Sequence, residues 1–398
     1  MHPDFLTRCL TLPVAICLLS SATVTAQTPV REPDSGEPTT RASSFLVTGY
    51  GSAGFEATRA KESTPNDSAF GFSPIFLVQP SARLLFEAEV ALGFGDGSTS
   101  AELEYADVIY AVTDNLKVVA GKFLVPFNAF SERYHPGWIN KFVSPPPLYG
   151  GHHGGGAPAE SLLPVLSDVG VQARASFDVG DRGFITAVGY FTQGPSIERH
   201  TEAESGHDDE NGHDEAVVTH GEPHSQGEIA EVLLGQNFRD NNTDKLVGGR
   251  IGAGVAPFIE ANFSAMTGAY DDNGDLRFTA YGADLAGRYR HVEFRGEWIK
   301  TIQEVRFEGL GDVGALARSG YYWQVGYHIG KWVPLVRGSQ LFDTILDHDL
   351  IFESGDQLAL GLVYLRTASS LIKFEYLVNR EDADVDNDRF AVQWAVGF

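Results

Sequence analysis

An all-β fold is expected from this chain: a transmembrane antiparallel β-barrel of about sixteen strands with long extracellular loops. Three features carry that expectation. Phe390, Val392, Trp394, Val396 and Phe398 share one face of a period-two strand that stops on an aromatic, which suits a wall whose outer side meets lipid. An unpaired sheet edge is prohibitively costly in hydrocarbon, so such a sheet must close on itself. Beyond the N-terminal region no stretch of about 18 apolar residues occurs, which argues against membrane helices.

Arg8 is followed by the apolar run Leu10 to Leu19, then small residues and Val24-Thr25-Ala26. That order reads as a secretory signal over 1–26. Cys9 and Cys17 both fall inside it, so disulfides are not expected in the mature chain, and Ile16 before Cys17 is a poor fit to lipoprotein processing. Residues 27–43, rich in Pro, Thr, Glu and Arg, read as a disordered periplasmic lead-in, and 44–398 as the barrel. Gly 44, an aromatic content of 11% and a formal charge of -24 fit a barrel better than a secreted β-sandwich, because the glycines fall inside alternating runs rather than only at turns.

Period-two alternation places strands at 44–56, 69–79, 83–94, 101–112, 116–127, 167–178, 183–193, 244–255, 258–270, 276–289, 291–304, 319–329, 332–342, 356–366, 370–380 and 388–398. Tight connections at Asp114-Asn115, Gly180-Asp181-Arg182 and Ala368-Ser369 alternate with long ones at 57–68, 194–243, 305–318 and 381–387. Short turns inside and long loops outside is the arrangement expected of such barrels. In 83–94, Leu84, Phe86, Ala88, Val90, Leu92 and Phe94 alternate with Leu85, Glu87, Glu89, Ala91 and Gly93; one side suits lipid and the other water. The same parity assigns Glu87, Glu89, Arg174, Arg250, Glu260, Asp284, Arg288, Glu293, Arg295, Glu297, Arg337, Lys373 and Glu375 to a hydrated, pore-lining inner face. There they would cross-brace the wall, set a field along a pore, or both.

The passage from Ala101-Glu-Leu-Glu-Tyr-Ala-Asp-Val-Ile-Tyr110 through Val119-Ala-Gly-Lys-Phe-Leu-Val-Pro-Phe127 to His135-Pro-Gly-Trp-Ile-Asn-Lys141 resembles outer-membrane porins of the phosphate-selective O and P superfamily, as do Pro334-Leu-Val-Arg337 and the terminal strand. The resemblance implies a sixteen-stranded barrel that passes small solutes, with long loops folded inward to narrow the channel. Phosphate specificity does not carry over. It would need a run of basic residues in one inward loop, whereas 128–164 offers Arg133 and Lys141. With Lys+Arg 29 against Asp+Glu 53, the mouths should repel anions and concentrate cations.

Segment 128–164 is too long for a hairpin turn and combines Trp138 and Ile139 with Pro145-Pro146-Pro147. It is expected either to fold inward as a constriction, bringing Arg133, His135 and Lys141 to the solute path, or to lie as an external flap. Segment 198–231 holds His200, His207, His213, His220 and His224 among carboxylates, and His152-His153 adjoins it in composition. These residue types suit zinc, copper or nickel, against the plainer reading of a solvated acidic loop. Asp382, Asp384, Asp386 and Asp388 alternate like a calcium loop, but Asn387 and Gln393 stand where its glycine and bidentate Glu belong. Asp271-Asp272-Asn273-Gly274-Asp275 reads as a polar hairpin turn.

No catalytic motif is found, so the chain is not expected to be an enzyme. About 17 residues between the signal and the first strand leave no room for the large plug of an energy-coupled receptor. The expectation is a passive, cation-leaning outer-membrane porin for small hydrophilic solutes; the alternative is a barrel that captures zinc through its His-rich loop. No cofactor is required, with loosely held Zn or Ca as the remaining option. Expected partners are outer-membrane lipid and lipopolysaccharide, the barrel-assembly machinery through the terminal strand, and small solutes, with no nucleic acid. A homotrimer is compatible with the sequence, although no stretch marks an interface.

Overall fold

The computed structural model describes residues 44–58, 66–95, 97–150, 161–197, 232–235, 242–306, 313–342, 344–346, 349–352, 354–381 and 388–398. The expected signal (1–26), lead-in (27–43) and His-rich segment (198–231) lie outside them. Sixteen strands form one closed antiparallel barrel in which each pairs with its sequence neighbours. They are β1 (Ser44–Thr58), β2 (Asn66–Ser81), β3 (Leu84–Gly95), β4 (Ser98–Ala111), β5 (Leu116–Leu124), β6 (Ser167–Val179), β7 (Gly183–Thr192) and β8 (Leu246–Val255). The second half comprises β9 (Ile259–Ala269), β10 (Arg277–Tyr289), β11 (Val292–Arg306), β12 (Val313–Tyr327), β13 (Trp332–Leu341), β14 (Gly355–Thr367), β15 (Ser370–Glu381) and β16 (Arg389–Gly397).

Closure comes from β1 against β16, in register from Tyr50↔Gly397 to Thr58↔Arg389. Phe398 extends the seam: its amide donates to Gly49 O at 3.0 Å, its carbonyl accepts from Gly49 N at 3.2 Å, and its ring stacks on Phe72 at 5.6 Å. Strands run from 9 residues in β5 to 16 in β2, enough for tilted strands to cross a hydrocarbon core. Large apolar side chains at every second position, such as Phe86, Phe263, Leu285, Trp323, Leu360 and Phe374, are exposed on the outer wall. In a soluble protein so continuous an apolar surface would be an aggregation site; against lipid it is matched. No helix among the described residues is long and apolar enough to cross a membrane, so the crossing is made by strands.

All sixteen expected strands are present, with shifted ends. β12 begins at Val313 rather than 319 because Gly314, Ala315 and Ala317 continue the alternation with little contrast between faces. The start of β1 and the end of β16 share one rim with seven turns of two to four residues, while the two-residue link between β3 and β4 and the longer connections belong to the other. The interior differs from the expectation of a uniformly hydrated face. On β13 to β16 the inward positions Val333, Leu335, Ala359, Val363, Leu371 and Ala395 are buried and apolar. A long segment folds across the lumen and covers them.

Candidate functional site

In the segment joining β5 to β6, the described residues 125–150 and 161–166 lie against the inner wall of the barrel. Pro126 ends strand pairing because it has no amide to donate. Asn128 then turns the chain with φ 53, a conformation that Asn tolerates better than most residues. It is fixed from three sides. Its amide donates to Ser264 Oγ at 3.1 Å, its Nδ2 to Trp298 O at 3.3 Å, and its carbonyl accepts from Arg250 Nη1 at 3.1 Å. Gly282 opposite leaves the space: a Cβ there would lie 2.3 Å from Asn128 Oδ1. A short π-helical turn, Phe130–Tyr134, follows.

Ion pairs and apolar contacts anchor the segment around the wall. Glu132 meets Arg174 at 2.5 Å and Arg250 at 2.6 Å. Burial raises the Glu132 carboxyl, but Arg174, Arg250 and Arg133 outweigh it and hold the group below the ordinary carboxylate value. Arg133 forks onto both oxygens of Glu260 at 2.9 Å, the planar geometry that makes such a pair strong. Lys141 bonds Glu293, which also lies 2.8 Å from His328 Nε2. Burial lowers the Lys141 ammonium despite that carboxylate. Further along, Glu375 accepts from Val143 N at 2.6 Å and Ser144 N at 3.0 Å, and Arg337 donates to Ser144 O at 3.0 Å. The Arg337 guanidinium stacks 4.6 Å from the Phe142 ring centroid, and Lys373 Nζ caps Phe142 O at 3.1 Å. Phe142 fills the space above Gly361 and covers the apolar inner wall of β13 to β16. Burying such a ring contributes about 1.5–3 kcal/mol. Phe130 and Tyr149 stack at 4.9 Å; Glu297 accepts Phe130 N at 2.7 Å and the Tyr149 hydroxyl at 2.5 Å.

The segment descends almost to the short-turn rim. Glu260 and Glu293 are each the second residue after such a turn, and the Trp138 ring packs where a Cβ on Gly397 would sit 3.2 Å away. Every residue assigned to the inner face by parity sits on that side of the wall. Their roles divide. Arg174, Arg250, Glu260, Glu293, Glu297, Arg337, Lys373 and Glu375 hold the inward segment, so the bracing runs from loop to wall more than along the wall. Arg295 lies over the Tyr134 ring at 4.3 Å, Asp284 accepts from Asn262 Nδ2 at 2.8 Å, and Arg288 is exposed near the rim. Among the expected constriction residues, Arg133 and Lys141 are paired as above, and His135 Nε2 lies 3.6 Å from Glu104 Oε1.

Glu87 and Glu89 stand on a different wall. Their register partners across β3 and β4 are Asp107 and Tyr105, so Glu87 faces a second carboxylate directly. Among the described residues no Lys, Arg or His nitrogen comes within 4.0 Å of Glu87, Glu89 or Asp107, whereas Arg174, Arg250, Arg133 and Lys141 are each engaged by a carboxylate.

Several anchors were missed by the sequence reading, Asn128, Glu132, Phe142, Ser144 and Tyr149 in the loop and Glu104 on β4, as was the inner-wall carboxylate Asp107. Glu104 escaped because it is the extra residue of a β-bulge, between Tyr105↔Glu89 and Leu103↔Val90, and so breaks the parity used to sort faces. The proposed metal ligands His152, His153, His200, His207, His213, His220 and His224 lie outside the described residues. Among the described residues no group of three or more His, Cys, Asp or Glu is arranged to hold a metal. The Asp271 turn is a hairpin in which Asp271 Oδ1 accepts Leu276 N at 2.7 Å.

A closed sixteen-stranded barrel with a long segment folded inside it is a porin architecture. No family model and no curated protein match the chain. Solved porins match it in shape. The anion-selective porin from Comamonas acidovorans aligns at 10% identity over 90% of this chain and 100% of that one, with a TM-score of 0.53. OmpF of Salmonella typhi, solved as a complex with daunomycin, aligns at 10% identity over 89% and 97%, with a TM-score of 0.53. The outer-membrane channel DcaP of Acinetobacter baumannii aligns at 11% identity over 91% and 99%, with a TM-score of 0.52. The likeness is one of fold.

Proposed function

We propose that this chain is an outer-membrane porin through which small hydrophilic solutes diffuse passively, with a preference for cations. In this reading residues 1–26 are removed on export, no bond is made or broken, and the barrel sits among lipid and lipopolysaccharide. Its affinity is to the phosphate-selective O/P-like porins through the Val119–Phe127 passage, without their phosphate specificity.

The observation that carries the cation preference is the division of charge inside the barrel. Among the described residues, Arg174, Arg250, Arg133 and Lys141 on β6, β8 and the inward segment are each engaged by a carboxylate, while Glu87 stands directly opposite the carboxylate of Asp107 with no cation within 4.0 Å. Facing carboxylates on the inner wall, together with the excess of Asp+Glu 53 over Lys+Arg 29, attract counter-cations and repel anions. The test is conductance in planar bilayers separating unequal KCl concentrations. The reversal potential is expected to show potassium more permeant than chloride, and Glu87→Gln with Asp107→Asn should move it toward zero. A chloride preference removes the charge reading, and an absence of channels removes the porin.

A further inference from the structure

The rim that carries the short turns is not uniform in charge. At three successive hairpins, β10 to β11, β12 to β13 and β14 to β15, stand Arg290 and Lys331 on their turns and Arg366 at the register shift that ends β14, all exposed. The turn from β4 to β5 instead carries Asp114, that from β6 to β7 carries Asp181 beside Arg182, and Arg83 stands alone on the turn from β2 to β3. Neighbouring turns lie two strands apart, roughly 10 Å, so the three cations form one arc.

Aromatic side chains underlie that arc on the outer, lipid-facing side. Tyr289 has the Arg290 guanidinium 5.6 Å from its ring centroid; Tyr327 packs against His291 at 6.0 Å; Trp332 and Tyr364 pack at 4.8 Å. Directly above them the wall is exposed and apolar, with Val325, Leu360 and Leu362. Arg290 also holds φ 53 at the first position of its two-residue turn, where Gly, Asn or Asp is the ordinary choice. A long cationic side chain is therefore kept at a position that the backbone alone would fill more favourably with glycine.

From this juxtaposition we infer that the Arg290–Lys331–Arg366 arc binds phosphodiester headgroups of anionic phospholipid in the leaflet facing the short turns. The inference rests on the membrane reading above. Cations spaced around a rim match an array of phosphates, and the aromatic rings sit at the depth of the headgroup boundary. The acyl chains continue onto apolar wall, a contact that a soluble acidic protein would leave unused.

The experiment uses the full mature barrel in zwitterionic phosphatidylcholine vesicles containing a minor fraction of brominated lipid, with tryptophan fluorescence as readout. Trp332 lies within the arc. Brominated phosphatidylglycerol is expected to quench more than the same fraction of brominated phosphatidylcholine, with a local enrichment of about fivefold for one cation–phosphate contact. The excess should vanish in the triple variant Arg290→Gln, Lys331→Gln, Arg366→Gln and should shrink in Trp332→Phe, which removes the reporter and leaves the cations. Equal quenching by the two lipids in the parent, an excess that survives the triple variant, or an excess left undiminished in Trp332→Phe overturns the assignment. Quenching by neither lipid refutes the membrane reading itself, so the two failures are distinct. Substitutions confined to exposed side chains at the rim should leave the parent's resistance to unfolding in SDS unchanged, which verifies the fold of each variant.

Discussion

Glu132 is the side chain on which the entry of the inward segment turns. Two guanidinia converge on it from β6 and β8, and both would lose that partner in Glu132→Gln. Breaking a buried pair costs about 3–5 kcal/mol; the lower part of that range is expected here because a third of the Arg174 side chain remains exposed. The variant should therefore release the segment while leaving the barrel closed, seen as new proteolytic cuts within 128–150 at neutral pH. The parent should show the same release in acid. A carboxyl whose folded value is depressed contributes fully above its ordinary value of about 4.3 and loses that contribution as pH falls through the lower folded value. Protection from cleavage should accordingly be flat from about pH 5 to 8 and decline below about pH 4. Protection that instead weakens on the alkaline side would assign the anchoring to another group.

At the level of elements, the inward segment and the wall were shaped around each other. Gly282 on β10 faces Asn128, which cannot retreat because its own amide, side chain and carbonyl are all engaged. Gly282→Ala is expected to destabilise docking by about 1–3 kcal/mol, through the strain of forcing an extra methyl into filled space. Gly189→Ala on the outer face of β7, where a Cβ meets nothing within 4 Å, is the matched control and should be neutral. Thermal unfolding and single-channel noise measured on both variants would separate them; equal effects would remove the steric argument. The strands themselves were legible in the sequence because period two is a local signal, repeated wherever Phe86, Trp298 or Phe374 meets lipid and Glu87, Glu297 or Glu375 turns inward. Length, proline and Trp138 likewise marked 128–164 as more than a turn. The partners of that segment were not legible. Phe130 meets Glu297 across 167 positions and Arg250 meets Asn128 across 122, and no local pattern encodes such pairings. The dry inner wall was hidden for a related reason. Val333, Leu335 and Val363 lie on strands whose outer positions are also apolar, so alternation alone does not reveal that Phe142 covers the inner face.

The molecule as a whole depends on closure. Each of the sixteen strands has two hydrogen-bonded neighbours, and the seam between β1 and β16 is made by residues more than three hundred positions apart. Removing residues 389–398 would leave one edge on β1 and another on β15, both lined with unpaired backbone groups. In water such edges are solvated; in hydrocarbon each unsatisfied group costs several kcal/mol. The loss is therefore expected to be all-or-none rather than proportional to the one strand removed. The truncated chain, refolded from urea into detergent, should lack the compact, protease-resistant form that migrates differently before and after heating. Deletion of 198–231 should leave that form intact, because β7 and β8 on either side pair directly from Thr192↔Leu246 to Gly183↔Val255 and loop length is a weak term in stability. A truncated chain that still opened channels of the parent's conductance would mean that fifteen strands can close, and would put the register of the seam, rather than its presence, in control of assembly.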